Sequence, residues 1–236
     1  MKNKRCPFVF KEYLRPLWAT LFFKGGEQNM NERYAVKTLS FLTVTLTVYL
    51  ILWQALVRYF DFPVYYYGRL IEVLSLVLFA ALAFSTPMKF EEMGIIVPRP
   101  TLFRSLALGA AVGLLFVVGL LSFRAISGLD LSFSWHIRGD ISRATYFLVA
   151  PFQEVLAKSV MLYSFELVFD RQHPHVSNFM SALTFGAFHV VYGIKMMLLA
   201  MLLSLVTGWI FRRERCVWGC AVAHFACGFF PVCFGF

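Results

Sequence analysis

The stretch "APFQEVLAKSV", residues 150–160, places a glutamate and a lysine inside an apolar run that extends from Tyr146 to Phe169. Glu154 and Lys158 are four residues apart with the acid first, which is the order in which a pair on one helix face attracts best. A charge at membrane depth costs at least about 2.5–3.5 kcal/mol. The stretch therefore predicts a transmembrane helix whose charged face either lines a polar site or is only a self-neutralised pair.

Composition places the whole chain in a membrane. Of its 236 residues, 59% are hydrophobic and 15% are charged, and the mean hydropathy is +0.69. These values predict an all-α, polytopic transmembrane bundle of about seven helices that forms one domain, 38–236. The apolar stretches are 38–60, 68–86, 101–123, 144–169, 176–194, 195–211 and 216–236.

The basic residues indicate how the bundle is oriented. They concentrate in residues 1–37, in "PMKFEEMGIIVPRP" (87–100) and in "RRERC" (212–216), whereas "DFPVYYY" (61–67) has none. Because Lys and Arg are retained inside, this pattern predicts a cytoplasmic N-terminus and an external C-terminus. Residues 1–37 are predicted to be a basic amphipathic segment with a helix on the membrane surface. The net charge of +9 is thus explained without nucleic-acid binding.

Small residues predict where helices approach each other closely. One set recurs every fourth residue in 101–123 and another in 195–211, a spacing that brings helix backbones together in lipid. The members are Ser105, Gly109 and Gly113, and Ala200, Ser204 and Gly208. The short connection near Gly193 predicts a tight antiparallel hairpin of the helices on either side.

Strongly polar side chains are few within the apolar stretches, and they suggest one shared site. They are Glu154, Lys158, His189 and His224, with Gln153 beside the glutamate. A buried carboxylate can take a proton from water that attacks a carbonyl, and imidazole N–H groups can stabilise the oxyanion. Two histidines and one glutamate can also bind a divalent metal such as zinc. No HExxH spacing is present, so the metal alternative rests on geometry alone.

Three motifs in order carry a resemblance to a known family. They follow the patterns EExxxR, FxxxH and HxxxN, at Gln153, Glu154 and Lys158, at Phe185 and His189, and at His224 and Gly228. In these motifs the chain resembles the intramembrane proteases of the CAAX-protease and bacteriocin-processing family, also called CPBP or Abi. The resemblance covers about residues 90–236.

The family resemblance implies an endopeptidase of the bacterial inner (plasma) membrane that acts on a membrane-associated peptide or protein. Glu154 would activate water, and His189 and His224 would stabilise the oxyanion or hold a metal. Gln153, Lys158, Phe185 and Gly228 would orient these groups.

Departures from the motifs leave alternatives open. Gln153 stands where the family has the glutamate usually assigned as the base, and Gly228 stands where it has asparagine. Either Glu154 has taken over as base, or the chain is a non-catalytic scaffold or immunity-type relative. A proton-coupled carrier is a third alternative, although no broken, repeated helices support it.

Other polar residues are predicted to be structural. His173 and His175 are interpreted as solvated loop residues, and Glu166 as an interfacial residue. The five cysteines contain no CxxC pair. Four of them lie within 216–236 and are interpreted mainly as small buried residues, while Cys6 lies in the N-terminal segment.

Overall fold

A computed structural model describes residues 30–60, 73, 77, 89–130, 132, 141–169 and 173–234. Within these residues the chain is helical and contains no strand. The helices are α1 (Met30–Phe60), α2 (Arg99–Ile126), α3 (Ile141–Glu154), α4 (Tyr163–Val168), α5 (Pro174–Ala187), α6 (Ile194–Glu214) and α7 (Val217–Cys233). A π-helical segment, Val155–Leu162, joins α3 to α4 in one continuous rod, and a 3₁₀ turn, Val190–Tyr192, precedes α6.

The predicted all-α bundle is confirmed, and six of its seven predicted helices have counterparts among the described residues. The remaining predicted helix, 68–86, lies outside the described residues except for residues 73 and 77, which are helical. Helix α1 begins at Met30, so residues 30–37 belong to this helix and not to the surface segment expected before it. Residues 1–29 of that segment lie outside the described part of the chain.

Three of the helices are long and apolar enough to cross a membrane, and they cover Arg33–Phe60, Arg99–Ile126 and Ile194–Glu214. Helix α2 has the opposite distribution of buried and exposed residues from a helix of a water-soluble protein. Its buried positions include Ser105, Gly109 and Gly113, while Leu114 and Leu115 are exposed. Large apolar side chains on the outside and small residues at the helix contact are typical of a protein in lipid. The chain is an integral membrane protein.

The small residues act as predicted at the contact between α2 and α7. A Cβ on Gly109 would overlap the carbonyl oxygen of Gly219, and a Cβ on Gly113 would lie 2.7 Å from Cβ of Ala226. The Ser105 hydroxyl donates to Cys216 O (3.2 Å) and accepts from Gly219 N (3.1 Å). The two backbones therefore touch directly.

Helices α5 and α6 form the predicted hairpin. Gly193 has φ +97° at the start of α6, a conformation that side-chain-bearing residues rarely adopt, so glycine is required at this turn. The expected helix 176–194 is shorter than predicted, because α5 ends at Ala187. Its 14 residues cover about 21 Å, less than the apolar thickness of a bilayer. His189 consequently lies in the turn after the helix.

The π-helical segment lies at the centre of the molecule, and all eight of its residues are buried. It packs against α5 and α6, and it also contacts α1 and α7. Pro151 precedes it inside α3 and has no N–H to donate to the preceding turn. Such local widenings of a helix occur frequently at functional sites.

Charged side chains stabilise both ends of the bundle, through ion pairs at one end and through hydrogen bonds to backbone oxygens at the other. Glu166 on α4 is 2% exposed and pairs with Arg212 (3.6 Å), in the last turn of α6, and with Arg215, directly after that helix. Glu166 is thus buried within the protein, and its interfacial depth in the membrane stays a prediction. At the other end, Arg124 closes α2 by donating to backbone oxygens of Asp130 and Phe234. Arg124 therefore ties α2 to the residue that follows α7.

Residues interpreted as structural are mostly found in the expected surroundings. His173 and His175 are exposed as predicted, but His175 lies in the first turn of α5 and not in a loop. Cys216, Cys220 and Cys233 are buried, and Cys227 is half-buried. Cys6 lies outside the described residues.

Candidate functional site

The site is organised around a hydrogen bond between two helices. Nδ1 of His224 on α7 lies 2.8 Å from Oε1 of Glu154, the last residue of α3. Glu154 is 0% exposed and His224 is 4% exposed. Because a carboxylate oxygen accepts, Nδ1 carries the proton in this bond. The structure thus joins two of the three predicted catalytic residues directly, across 70 positions of sequence.

The second oxygen of the same carboxylate is available. Oε2 of Glu154 is buried and has no hydrogen-bond partner among the described residues. The Thr207 hydroxyl of α6 lies close to the carboxylate, but its hydrogen bond goes to Ser204 O (3.4 Å). A buried carboxylate oxygen without a donor is costly, so a polar group from a ligand or from water would be held strongly there.

Lys158 lies in the π-helical segment and is 0% exposed. Its ammonium donates to the carbonyl oxygen of Ser204 at 2.7 Å and to the Ser204 hydroxyl at 2.6 Å. Between the described side chains of Glu154 and Lys158 there is no contact within ion-pair distance. The lysine still acts on the glutamate electrostatically. The expected direct pair is therefore replaced by a contact between helices.

His189 is fixed by the backbone of the helix that precedes it. Its Nδ1 lies 2.8 Å from the carbonyl oxygen of Phe185. A carbonyl can only accept, so Nδ1 is protonated and, in the neutral ring, Nε2 keeps its lone pair. His189 also interacts electrostatically with both Glu154 and His224. The third predicted residue thus belongs to the same polar region without bonding to the other two.

The Phe185 ring packs between the two histidines. Its centroid lies 4.7 Å from that of His189 and 5.8 Å from that of His224, the latter edge-to-face. Lys158 Nζ lies 5.9 Å from the same ring centroid. The predicted orienting role of Phe185 has this physical basis: one ring limits the positions of both imidazoles and of the ammonium.

Tyr146 was not selected from the sequence, yet it belongs to this site. Its ring centroid lies 6.2 Å from that of His224 and 6.0 Å from that of Phe225. A Cβ on Gly228 would overlap the Tyr146 hydroxyl oxygen. That hydroxyl makes no hydrogen bond to the described residues. Tyr146 therefore occupies the space where the side chain of residue 228 would begin.

Gln153 and the predicted metal ligands remain to be placed. Gln153 precedes Glu154 on α3 and is half-buried. Within the described part of the chain, no three His, Cys, Asp or Glu side chains are grouped so that they could hold a metal ion. The metal-ligand set of Glu154, His189 and His224 stays a prediction, and no step is assigned to a metal.

A cavity of about 820 Å³ lies apart from these residues. It is bounded by α1, α4 and α5, and its walls include Leu39, Phe165, Met180 and Thr184. Glu154, His189 and His224 do not line it. The polar site is therefore defined by its hydrogen bonds and not by this apolar space.

Comparison with known proteins finds a similarity to one family over part of the chain. A model of the type II CAAX prenyl endopeptidase Rce1-like family matches residues 141–230. No curated protein and no solved structure matches the chain. The match includes Tyr146, Glu154, Lys158, His189 and His224, but it does not extend back to residue 90. The resemblance predicted from the motifs is thereby confirmed, and residues 141–230 are similar to the Rce1-like type II CAAX prenyl endopeptidases.

Proposed function

We propose that this protein is an intramembrane endopeptidase that hydrolyses a peptide bond of a membrane-associated substrate. The observation that carries the proposal is the fully buried Glu154 carboxylate, with one oxygen bound by His224 and the other without a partner. A carboxylate kept at this depth beside a free acceptor position suits proton transfer to and from a water molecule. The match to a protease family supports the same activity.

In the proposed reaction, Glu154 acts as general base and then as general acid. Oε2 takes one proton from water while the water oxygen bonds to the substrate carbonyl carbon, and the carbonyl electron pair moves to oxygen. When the tetrahedral intermediate collapses, the C–N bond breaks and the proton on Oε2 passes to the leaving nitrogen. The products are a carboxylic acid and an amine. No covalent link to the enzyme forms.

The hydrogen bonds assign different parts to the two histidines. His224 donates from Nδ1 to Oε1 and thereby fixes the carboxylate for transfer at Oε2. His189 donates from Nδ1 to Phe185 O, so its neutral Nε2 can accept a hydrogen bond from the attacking water. In this proposal the two histidines position the base and the water, whereas the sequence predicts that they stabilise the oxyanion or hold a metal.

Lys158 supports the charge of Glu154 from a distance. Its ammonium is held on α6 by Ser204, and its field favours the ionised carboxylate. This role is electrostatic and needs no direct contact between the two side chains.

The proposal is tested with purified protein in nanodiscs and a panel of fluorescence-quenched peptides anchored in the same bilayer. Some peptides carry a farnesylated CAAX terminus, and others carry an unprenylated apolar anchor. Glu154→Gln keeps the size of the side chain and removes the base, so cleavage should fall by at least about 100-fold. Glu91→Gln, at an exposed position, is the control. Equal cleavage by Glu154→Gln and wild type, or none by wild type on any peptide, would refute the proposal.

The alternative is a non-catalytic relative that keeps the bundle and binds a partner. Gln153 favours it, because an amide cannot take a proton from water. The decisive variant is Gln153→Glu: activity gained in an otherwise silent protein supports the alternative. Activity already present in the wild type that depends on Glu154 supports the protease.

A further inference from the structure

Both histidines of the site present an acceptor to a substrate. His224 uses its Nδ1 proton on Glu154, and His189 uses its Nδ1 proton on Phe185 O. In the neutral rings each Nε2 therefore carries a lone pair and cannot donate. The oxyanion formed during peptide hydrolysis requires a donor at about 2.7–3.1 Å. In their neutral forms, neither His224 nor His189 supplies such a donor.

Tyr146 has a hydroxyl group of the required kind on the same side of α7. Gly228 lies one helical turn after His224, so the two positions share a face. The Tyr146 hydroxyl lies at the place where a Cβ of residue 228 would stand. This hydroxyl has no hydrogen-bond partner among the described residues, and its ring is restrained by His224 and Phe225. The O–H group is thus positioned but not used.

We propose that Tyr146 is a further catalytic residue, whose hydroxyl donates a hydrogen bond to the oxyanion of the tetrahedral intermediate. The proton stays on the phenol oxygen throughout, and only the strength of the hydrogen bond changes as negative charge develops on the substrate oxygen. This inference rests on the proposed function and adds a residue that the three motifs do not contain.

The same contact explains why the third motif ends in glycine. Any side chain at residue 228 would collide with Tyr146, and the motif that this chain resembles has asparagine there. An amide N–H and a phenol O–H are both neutral donors. Gly228 and Tyr146 therefore supply, from two helices, a donor at the place where a single asparagine would supply it from α7.

The first test is Tyr146→Phe, assayed with the membrane-anchored quenched peptide that the wild type cleaves fastest. The ring contacts are kept and only the hydroxyl is lost, so kcat should fall by about 100-fold while KM changes less than about twofold. The unfolding temperature should stay at the wild-type value. A kcat within twofold of wild type would overturn the inference.

The second test transfers the donor to the other helix. Tyr146→Ala alone removes the donor and opens the space, and the double variant Tyr146→Ala with Gly228→Asn places an amide there. The double variant should recover at least about tenfold in kcat over Tyr146→Ala, which a purely structural tyrosine does not explain. Gly119→Asn, at an exposed position of α2, is the matched control in the Tyr146→Ala background and should give no recovery. If the double variant shows no recovery, the claim that Tyr146 and an asparagine at residue 228 place a donor at the same point would be overturned.

Glu154→Gln in the same assay separates the two proposals. Inactive Glu154→Gln with fully active Tyr146→Phe refutes only the role of Tyr146. Fully active Glu154→Gln refutes the protease mechanism, and the role of Tyr146 falls with it.

Discussion

Lys158, although completely buried, directs its ammonium to Ser204 of α6 and not to the carboxylate of Glu154 four residues earlier. The change from α- to π-helix after Glu154 alters which side chains stack on successive turns. As a result, the charge that was expected to neutralise a neighbour on its own helix instead binds two helices together. The hydrogen bonds to Ser204 should therefore contribute to stability as well as to the site.

Ser204→Ala should destabilise the protein by about 1–3 kcal/mol, because it leaves a buried ammonium with one fewer acceptor. The unfolding temperature in detergent measures the effect. Ser164→Ala is the matched control, since Ser164 is also 0% exposed but its hydroxyl has no hydrogen-bond partner. That variant should be as stable as wild type or more so. Equal losses in the two variants would contradict the importance of the Lys158 contact.

Much of the site could be predicted from the sequence because lipid makes buried polar residues rare. Glu154 and His224 are 70 positions apart and lie in different helices, yet each is conspicuous within an apolar stretch, and they are hydrogen-bonded. The small residues of α2 were similarly informative, because only a close helix contact favours Ser105, Gly109 and Gly113 in one stripe.

Other parts could not be predicted, because they depend on how one helix lies against another. An i, i+4 rule assumes α-helical register, so it gives the wrong partner for Lys158 once the π-helical segment begins. Tyr146 looks like any tyrosine in an apolar helix. Its meaning depends on Gly228, whose missing side chain becomes informative only when α3 and α7 are placed together. Likewise, apolar character continues past Ala187, so hydropathy alone does not show that α5 ends there.

Gly109→Ala should disrupt the contact between α2 and α7. The added methyl group would overlap a backbone oxygen of Gly219, which cannot rotate away as a side chain can. The helices must move apart, so we expect a loss of at least about 1–3 kcal/mol and a lower yield of folded protein. The measurement is thermal unfolding in detergent.

The matched control is Gly119→Ala on the same helix, where a Cβ meets nothing within 4 Å. This variant should unfold at or slightly above the wild-type temperature, since alanine favours helix more than glycine does. If both alanine variants behaved alike, direct backbone contact would not be what holds α2 against α7.

Glu166→Gln should weaken the contacts of α4 with Arg212 and Arg215 without impairing peptide cleavage. The amide keeps the size of the side chain but gives up the charge that binds Arg212 and Arg215. Because both arginines are partly exposed, the expected loss is only about 1–2 kcal/mol. The unfolding temperature should fall while peptide cleavage per folded molecule is unchanged. Loss of cleavage at full stability would instead make Glu166 part of the reaction.

Phe185→Leu should lower the rate of cleavage by loosening the two imidazole rings, although both histidines are kept. The carbonyl of residue 185 remains to hold Nδ1 of His189, but the ring that packs between His189 and His224 is lost. Both imidazoles gain freedom, and a misplacement of about 1 Å can cost about 100-fold in rate. We therefore expect kcat for the quenched peptide to fall by about 10- to 100-fold. The control is Phe179→Leu, at an exposed position of the same helix, which should leave kcat unchanged. Similar losses of kcat in both variants would show that α5 tolerates no such change, and would contradict a specific role of Phe185.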